Sequence, residues 1–259
     1  MWIDGYCNQP LRSTIDTEEF LAPNYRVTID NNGLVRVLVS RWPVTQIIGA
    51  QYTSSLSAGP TWSPIPLNAM YIEEGLTISG GISIESAAGS AAIDITPGYI
   101  SWFNGRRGIR LQLTYVNGWS HAGIVNSVDI GATSLLVDDC TGMTSADAGR
   151  GMWIYDGNAT EFVAVTAVSE TSGPGTATLA SPGTVYPHNG NASQPIVISA
   201  LPASIQQAAI LHCSMQALVR GATATTVQNQ PGSTQNTGDP GTGILKDIKD
   251  ILMPYRRVI

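Results

Sequence analysis

Between His121 and Ala200 every helix signal disappears. Short β runs recur instead, at Ser134–Val137, Met152–Tyr155, Glu161–Val168, Thr176–Leu179 and Ile196–Ser199. Turn residues separate them, among them Asp156-Gly157-Asn158 and Ser172-Gly173-Pro174-Gly175. Short runs with such regular punctuation predict a small β-barrel or sandwich. The segment lies inside the chain, so the rest, 1–120 and 201–259, is expected to pack as one discontinuous domain around an inserted acidic β domain.

Charge follows the same boundary. Residues 121–200 hold seven acids (Asp129, Asp138, Asp139, Asp147, Asp156, Glu161, Glu170) and one base, Arg150. The net charge of −6 is therefore carried by this segment alone, because the remainder balances. A basic nucleic-acid footprint is absent. DNA passing nearby is repelled rather than gripped.

Outside the insert the pattern is mixed. Asn24–Asp30 and Leu34–Ser40 alternate around Asn31-Asn32-Gly33, a hairpin signal, since Asn-Gly tolerates positive φ. Trp42-Pro43-Val44 breaks that hairpin, and Val44–Thr53 reads as the next strand. Ser54–Pro66 reads as a loop carrying Trp62. Strands are expected at Leu76–Ile84, Ala91–Ile95 and Ile109–Tyr115, the last with period two. Residues 1–23 read as the tail of a helix followed by a loop.

Helix returns at Ser204-Ile205-Gln206-Gln207, which has the form of a capping box. Ile205, Ala208, Ala209, His212, Met215 and Val219 share one face, and Gly221 is a stop. Residues 222–243 are a low-complexity linker. A last amphipathic helix runs from about Ile244 to Met253, and Pro254 ends it. The fold class is α+β: mostly strands, two C-terminal helices, and the inserted β-barrel or sandwich. No internal repeat is evident.

Chemical motifs are missing. His121, His188 and His212 lack metal-ligand spacing. Cys7, Cys140 and Cys213 form no disulfide framework and suit a reducing cytosol. The acids of the insert lack a calcium-loop pattern, and as a glycosidase pair they have no stronger claim than solvated turn acids. No phosphate-binding loop or nucleophile elbow occurs. The six tryptophans suit core packing better than a sugar platform. Arg106-Arg107 and Arg256-Arg257 are too short for nucleic-acid binding. There is no apolar run of membrane length and no signal peptide. No catalytic residue, metal or cofactor is expected.

Four segments, taken in order, carry a resemblance. Arg41-Trp42-Pro43-Val44-Thr45-Gln46-Ile47-Ile48-Gly49-Ala50-Gln51-Tyr52 resembles the "PV-x-x-(I/V)" strand of tailed-phage head–tail connector (adaptor) proteins. Leu111-Gln112-Leu113-Thr114-Tyr115-Val116-Asn117-Gly118-Trp119 resembles their "V-x-Y-x-x-G-(W/Y)" strand end. Leu201-Pro202-Ala203-Ser204-Ile205-Gln206-Gln207-Ala208-Ala209 resembles "L-P-x-x-I-x-Q-A". Leu252-Met253-Pro254-Tyr255-Arg256-Arg257 resembles "L-x-P-Y-R". The insert, with Glu161-Phe162-Val163-Ala164-Val165 and Tyr186-Pro187-His188-Asn189-Gly190, resembles β inserts in connector-like proteins of phages infecting actinobacteria. The family usually begins with one or more helices, whereas this chain starts at what looks like the end of one.

The resemblance implies a non-enzymatic virion subunit at the neck, made in the host bacterial cytoplasm. It implies a homo-oligomeric ring, commonly of twelve copies, between the portal protein and the stopper or tail. DNA passes through such a ring without sequence-specific binding. Tyr255, Arg256, Arg257, Val258 and Ile259 are the expected portal-binding segment, able to pair by strand addition with arginines meeting carboxylates. Asp138, Asp139 and Asp156 are expected channel or rim acids, unless the insert projects outward. The alternatives are a tail-side stopper or tail-completion protein, and a carbohydrate-binding adhesion module built on Trp153 and Tyr155.

Overall fold

The computed structural model describes residues 2–22, 26–29, 35–53, 60–72, 92–95, 109–143, 150–222 and 240–256. The expected strand at Leu76–Ile84, the turn Asn31-Asn32-Gly33, Arg106-Arg107 and linker residues 223–239 lie outside them. A short helix, α1 (Trp2–Cys7), comes first. Strands follow: β1 (Thr14–Ala22), β2 (Val27–Ile29), β3 (Val35–Leu38), β4 (Val44–Thr53), β5 (Ser63–Ile65), β6 (Met70–Ile72), β7 (Ala92–Ile95) and β8 (Ile109–Asn117). Then come β9 (His121–Ile124), β10 (Ser127–Val128), β11 (Ser134–Val137), β12 (Arg150–Tyr155), β13 (Glu161–Val168), β14 (Gly175–Leu179), β15 (His188–Asn189) and β16 (Ile196–Ser199). Helices α2 (Ala203–Ala222) and α3 (Pro240–Leu252) close the chain, with a single 3₁₀ turn at Met253–Tyr255.

The chain separates into two compact units. One combines Met1–Gln9 with Leu201–Ile259 and is helical; the other is Pro10–Ala200 and is built from strands. The expected grouping put 1–120 with 201–259. Here the strands before residue 120 share a unit with the acidic segment instead. The physical reason is continuity: β8 leads through Gly118-Trp119-Ser120 directly into β9. Arg12 also bonds Asp139 at 2.8 Å, and the Ser120 hydroxyl donates to the Gly142 carbonyl.

Within the β unit, two four-stranded sheets, ordered β1-β8-β4-β5 and β2-β3-β7-β6, contribute to one apolar core. The period-two pattern of β8 dictates this. Ile109, Leu111, Leu113 and Tyr115 face inward, while Arg110, Gln112 and Thr114 stay half-exposed. β2 and β3 pair antiparallel from Val27↔Val37 to Ile29↔Val35, the hairpin that the Asn-Gly signal predicts. β5 lies in the segment expected to be a loop.

β1 was expected to be loop as well. It pairs antiparallel with β8 along its whole length, from Thr14↔Asn117 to Ala22↔Ile109. Its acids explain how. Glu18 accepts hydrogen bonds from Ser40 (backbone N–H and hydroxyl, both 2.7 Å), Arg26 (2.5 Å) and the Tyr115 hydroxyl. Asp16 takes Arg41 at 2.8 and 2.9 Å and the Asn117 amide. Burial pushes the Glu18 carboxyl up, but the bonds from Tyr115, Ser40 and Arg26 outweigh it and hold the group below its ordinary value. Burial, and then Glu18, push the Tyr115 hydroxyl up.

Residues 121–200 form a barrel. Six strands close in the order β11-β14-β13-β12-β16-β9 around Ile124, Leu135, Val137, Met152, Ile154, Val163, Val165, Leu179 and Ile198. Alternation is strict at Ser134–Val137 (out, in, out, in), so every second side chain enters the core. Closure leaves these six strands without a free edge, while β10 and β15 pair apart as a two-stranded sheet.

The helical unit departs from expectation at the start of each long helix. α2 begins at Ala203, so Ser204 lies inside the first turn rather than at its cap. The backbone N–H groups of Ile205 and Gln206 bond the Pro202 carbonyl, and the Ser204 hydroxyl faces Tyr255 instead. α3 starts at Pro240, inside the expected linker, because proline suits a first helical position. Ile205, Ala208, Ile248 and Leu252 are buried, as the helical spacing requires.

Candidate functional site

The expected portal-binding segment starts at Tyr255, which is only 4% exposed. Its hydroxyl lies 2.6 Å from the Ser204 hydroxyl, and its carbonyl accepts the Gln9 side-chain amide at 3.1 Å. Arg256 is exposed, with its guanidinium 5.5 Å from the centre of the Tyr6 ring, and the Tyr6 hydroxyl donates to the Lys249 carbonyl. Burial, and then Asp4, push the Cys7 thiol up to about 11, with Arg256 opposing them, so it is inert near neutrality. Tyr255 therefore belongs to the packing of its own unit and is not free to reach a partner. Arg257, Val258 and Ile259 lie outside the described residues.

The three expected channel acids are hydrogen-bonded within the β unit. Asp138 accepts the Gly123 N–H at 2.7 Å. Asp139 accepts the Thr141 N–H and hydroxyl and the Gly173 N–H on one oxygen, and Arg12 on the other. Burial raises Asp139, yet Thr141, Gly173 and Arg12 together hold it below its ordinary value. Asp156 meets the His188 ring at 3.0 Å. Neutralising any of the three acts first on the barrel itself.

His188 is the residue that sequence spacing missed. Its side chain is 0% exposed, with Nδ1 on Asp156 and Nε2 on Glu161 Oε1 at 2.7 Å. Each ring nitrogen thus has a carboxylate partner. Glu161, itself buried, also accepts the N–H groups of Val185 (2.7 Å) and Tyr186 (3.2 Å). This ties the loop before β15 to the barrel wall. No short-range motif signals it, because Asp156 and Glu161 lie far in sequence from Val185, Tyr186 and His188. Through these hydrogen bonds the cluster locks the loop to the barrel wall. Among the described residues no group of three or more His, Cys, Asp or Glu is placed to hold a metal.

The outer wall of β12, β13 and β16 is a different surface. Trp153 (45% exposed) and Phe162 (57%) are directly paired across β12 and β13. Their ring centres are 5.3 Å apart at 64°. Phe162 lies over Gly151, where any Cβ would collide with its ring, so glycine is what lets the ring fold down.

Searches of family models, curated proteins and solved structures return no match to this chain. No helix among the described residues is long and apolar enough to cross a membrane.

Proposed function

We propose that this chain is a structural subunit of a tailed-phage virion, an adaptor that forms a ring at the neck between the portal protein and the stopper or tail. One observation carries the reading: the four segments that bear the resemblance meet in pairs. Segment 41–52 supplies β4 and segment 111–119 supplies β8. The two are hydrogen-bonded neighbours from Val44↔Asn117 to Tyr52↔Leu111, and the Gly118 N–H donates to the Pro43 carbonyl at 2.9 Å. Gly118 has φ +84°, and a Cβ there would lie 2.7 Å from the Arg12 carbonyl oxygen, so its place in the pattern has a steric cause. Segments 201–209 and 252–257 meet through Ser204 and Tyr255. Residues quoted separately in sequence thus act as two interlocking contacts, one in each unit.

In this reading the ring extends the DNA channel without gripping DNA, as the acidic balance suits. The chain is made in the host cytoplasm and has no catalytic role. Its exposed Arg256 and the residues after it meet carboxylates of the portal. The test is electron microscopy of the chain mixed with the portal protein encoded beside it. A rotationally symmetric layer under the portal, twelvefold by the resemblance, is expected. Deleting Arg257–Ile259 should abolish attachment with the fold intact, since Tyr255 is retained. A monomer that ignores the portal would overturn the reading in favour of a tail-side stopper or tail-completion protein.

A further inference from the structure

We infer that α1 is a clasp on the C-terminal end of the chain, which holds the exposed Arg256 guanidinium in place as a fixed site for a carboxylate of a partner protein. Only the identity of that partner rests on the adaptor reading. A helix of six residues does not persist alone in water. α1 ends in a closed hydrogen-bond pattern: the Asn8 N–H donates to the Gly5 carbonyl at 3.3 Å, and the Gln9 N–H to the Asp4 carbonyl at 3.2 Å. Asn8 has φ +56°, the left-handed conformation that this type of helix end uses and that asparagine tolerates. The reversal leaves Gln9 only 4% exposed, and the next residue, Pro10, begins the β unit.

What α1 brings is what the end of α3 needs. The last carbonyls of a helix lack partners within it. Lys249 lies in the last turn of α3, and its carbonyl accepts the Tyr6 hydroxyl at 3.3 Å. Tyr255 closes the 3₁₀ turn that follows, and its carbonyl accepts the Gln9 amide at 3.1 Å. Both donors come from the opposite end of the chain. Directly after Tyr255, the Arg256 guanidinium lies over the Tyr6 ring, 5.5 Å from its centre. A ring on the flat face of a guanidinium restrains it and leaves its in-plane N–H groups directed outward. Arg12, Arg26, Arg41 and Arg110 each hold a carboxylate, whereas Arg256 has none among the described residues. It is exposed. A restrained planar donor of this kind fits a carboxylate in two-point fashion. Nucleic-acid phosphates are the poorer match, because the chain carries net −6 and would repel them.

The experiment is limited trypsin digestion of the full chain, with mass spectrometry separating cleavage after Arg256 from cleavage after Lys246 within α3. Trypsin must draw the Arg256 side chain off the Tyr6 ring to cut there, so the rate reads the clasp. The parent, Asn8→Gly, Asn8→Val and Tyr6→Leu are compared. Asn8→Val puts a branched side chain in left-handed backbone and should speed cleavage after Arg256 roughly tenfold, and Tyr6→Leu about threefold. Asn8→Gly should keep the parent rate, because glycine adopts that φ. Cleavage after Lys246 should be the same in all four. Equal rates after Arg256 throughout would overturn the clasp. So would a parallel rise after Lys246, which would make α1 a general support of the helical unit. Attachment to the portal protein is then measured for the parent, Tyr6→Leu and Arg256→Ala, with Arg256→Ala expected to raise Kd about tenfold and Tyr6→Leu less. A parent that attaches equally well without the Arg256 side chain would overturn the carboxylate site and leave the adaptor reading standing. A parent that ignores the portal would overturn both, while digestion of the chain alone still decides the clasp.

Discussion

The two halves of the β unit use their carboxylates in opposite ways. In the paired sheets each acid of β1 has its own arginine: Asp16 with Arg41, Glu18 with Arg26, Glu19 with Arg110. In the barrel, seven acids share one base within their own segment, and the carboxylates turn to backbone N–H groups instead. Asp138 takes Gly123, Asp139 takes Thr141 and Gly173, and Glu161 takes Val185 and Tyr186. Arg12, from outside the segment, and the His188 ring also reach barrel acids. A strongly acidic segment can therefore fold without cations of its own when its turns aim donors at the acids. Such bonds are short-range and shielded, so salt weakens them less than exposed ion pairs.

Three substitutions sharpen this contrast. Glu161→Ala should have the largest effect, a loss of about 3 kcal/mol, because it strands two backbone N–H groups and the buried His188 together. Urea unfolding measures it, and the loss should hardly change in 1 M salt. A loss under about 1 kcal/mol would show that the loop at Val185 is held by packing instead.

Glu18→Gln comes next, at about 2 kcal/mol near neutral pH, since the charge that Arg26 and Tyr115 answer disappears. The Glu18 carboxyl is held below its ordinary value of 4.5. Its stabilisation is thus complete above that value and lost as pH falls through the lower folded value. The stability gap between variant and parent should accordingly close in acid. A gap that stays constant down to pH 2 would mean that shape rather than charge matters at this site.

Arg110→Ala should cost least, under about 1 kcal/mol, because its bond to Glu19 is partly solvated and the Trp62 ring is a weak partner. That small loss should vanish in high salt. If it persists, the exposed pair behaves like the barrel's buried acids, and the contrast fails.

Much of the barrel was legible because its strands alternate and its turns carry glycine: Ser134–Val137, Glu161–Val168 and Ile196–Ser199 lie where the pattern put them. β4 followed from the same logic. β9 did not, since His121-Ala122-Gly123-Ile124 has too few apolar residues to alternate; β11 and β16 recruit it to close the ring. The expected site residues fared unevenly for a related reason. A pattern in sequence shows that Asp139 or Tyr255 is present, but not that Thr141, Gly173 and Arg12 surround the one, or that Ser204 and Gln9 hold the other.

Periodicity, turn chemistry and charge placement by themselves determined that this chain is mostly strands, that 121–200 is an acidic β segment, and that a helical pattern resumes near residue 204. Only the tertiary structure decided that Thr14–Ala22 is a strand. Both faces of that segment carry acids, so it has no clean apolar stripe and no reason of its own to extend. In the paired strand Arg26, Arg41 and Tyr115 answer Glu18 and Asp16, so these carboxylates can sit half-buried beside Phe20 where those of an isolated strand cannot.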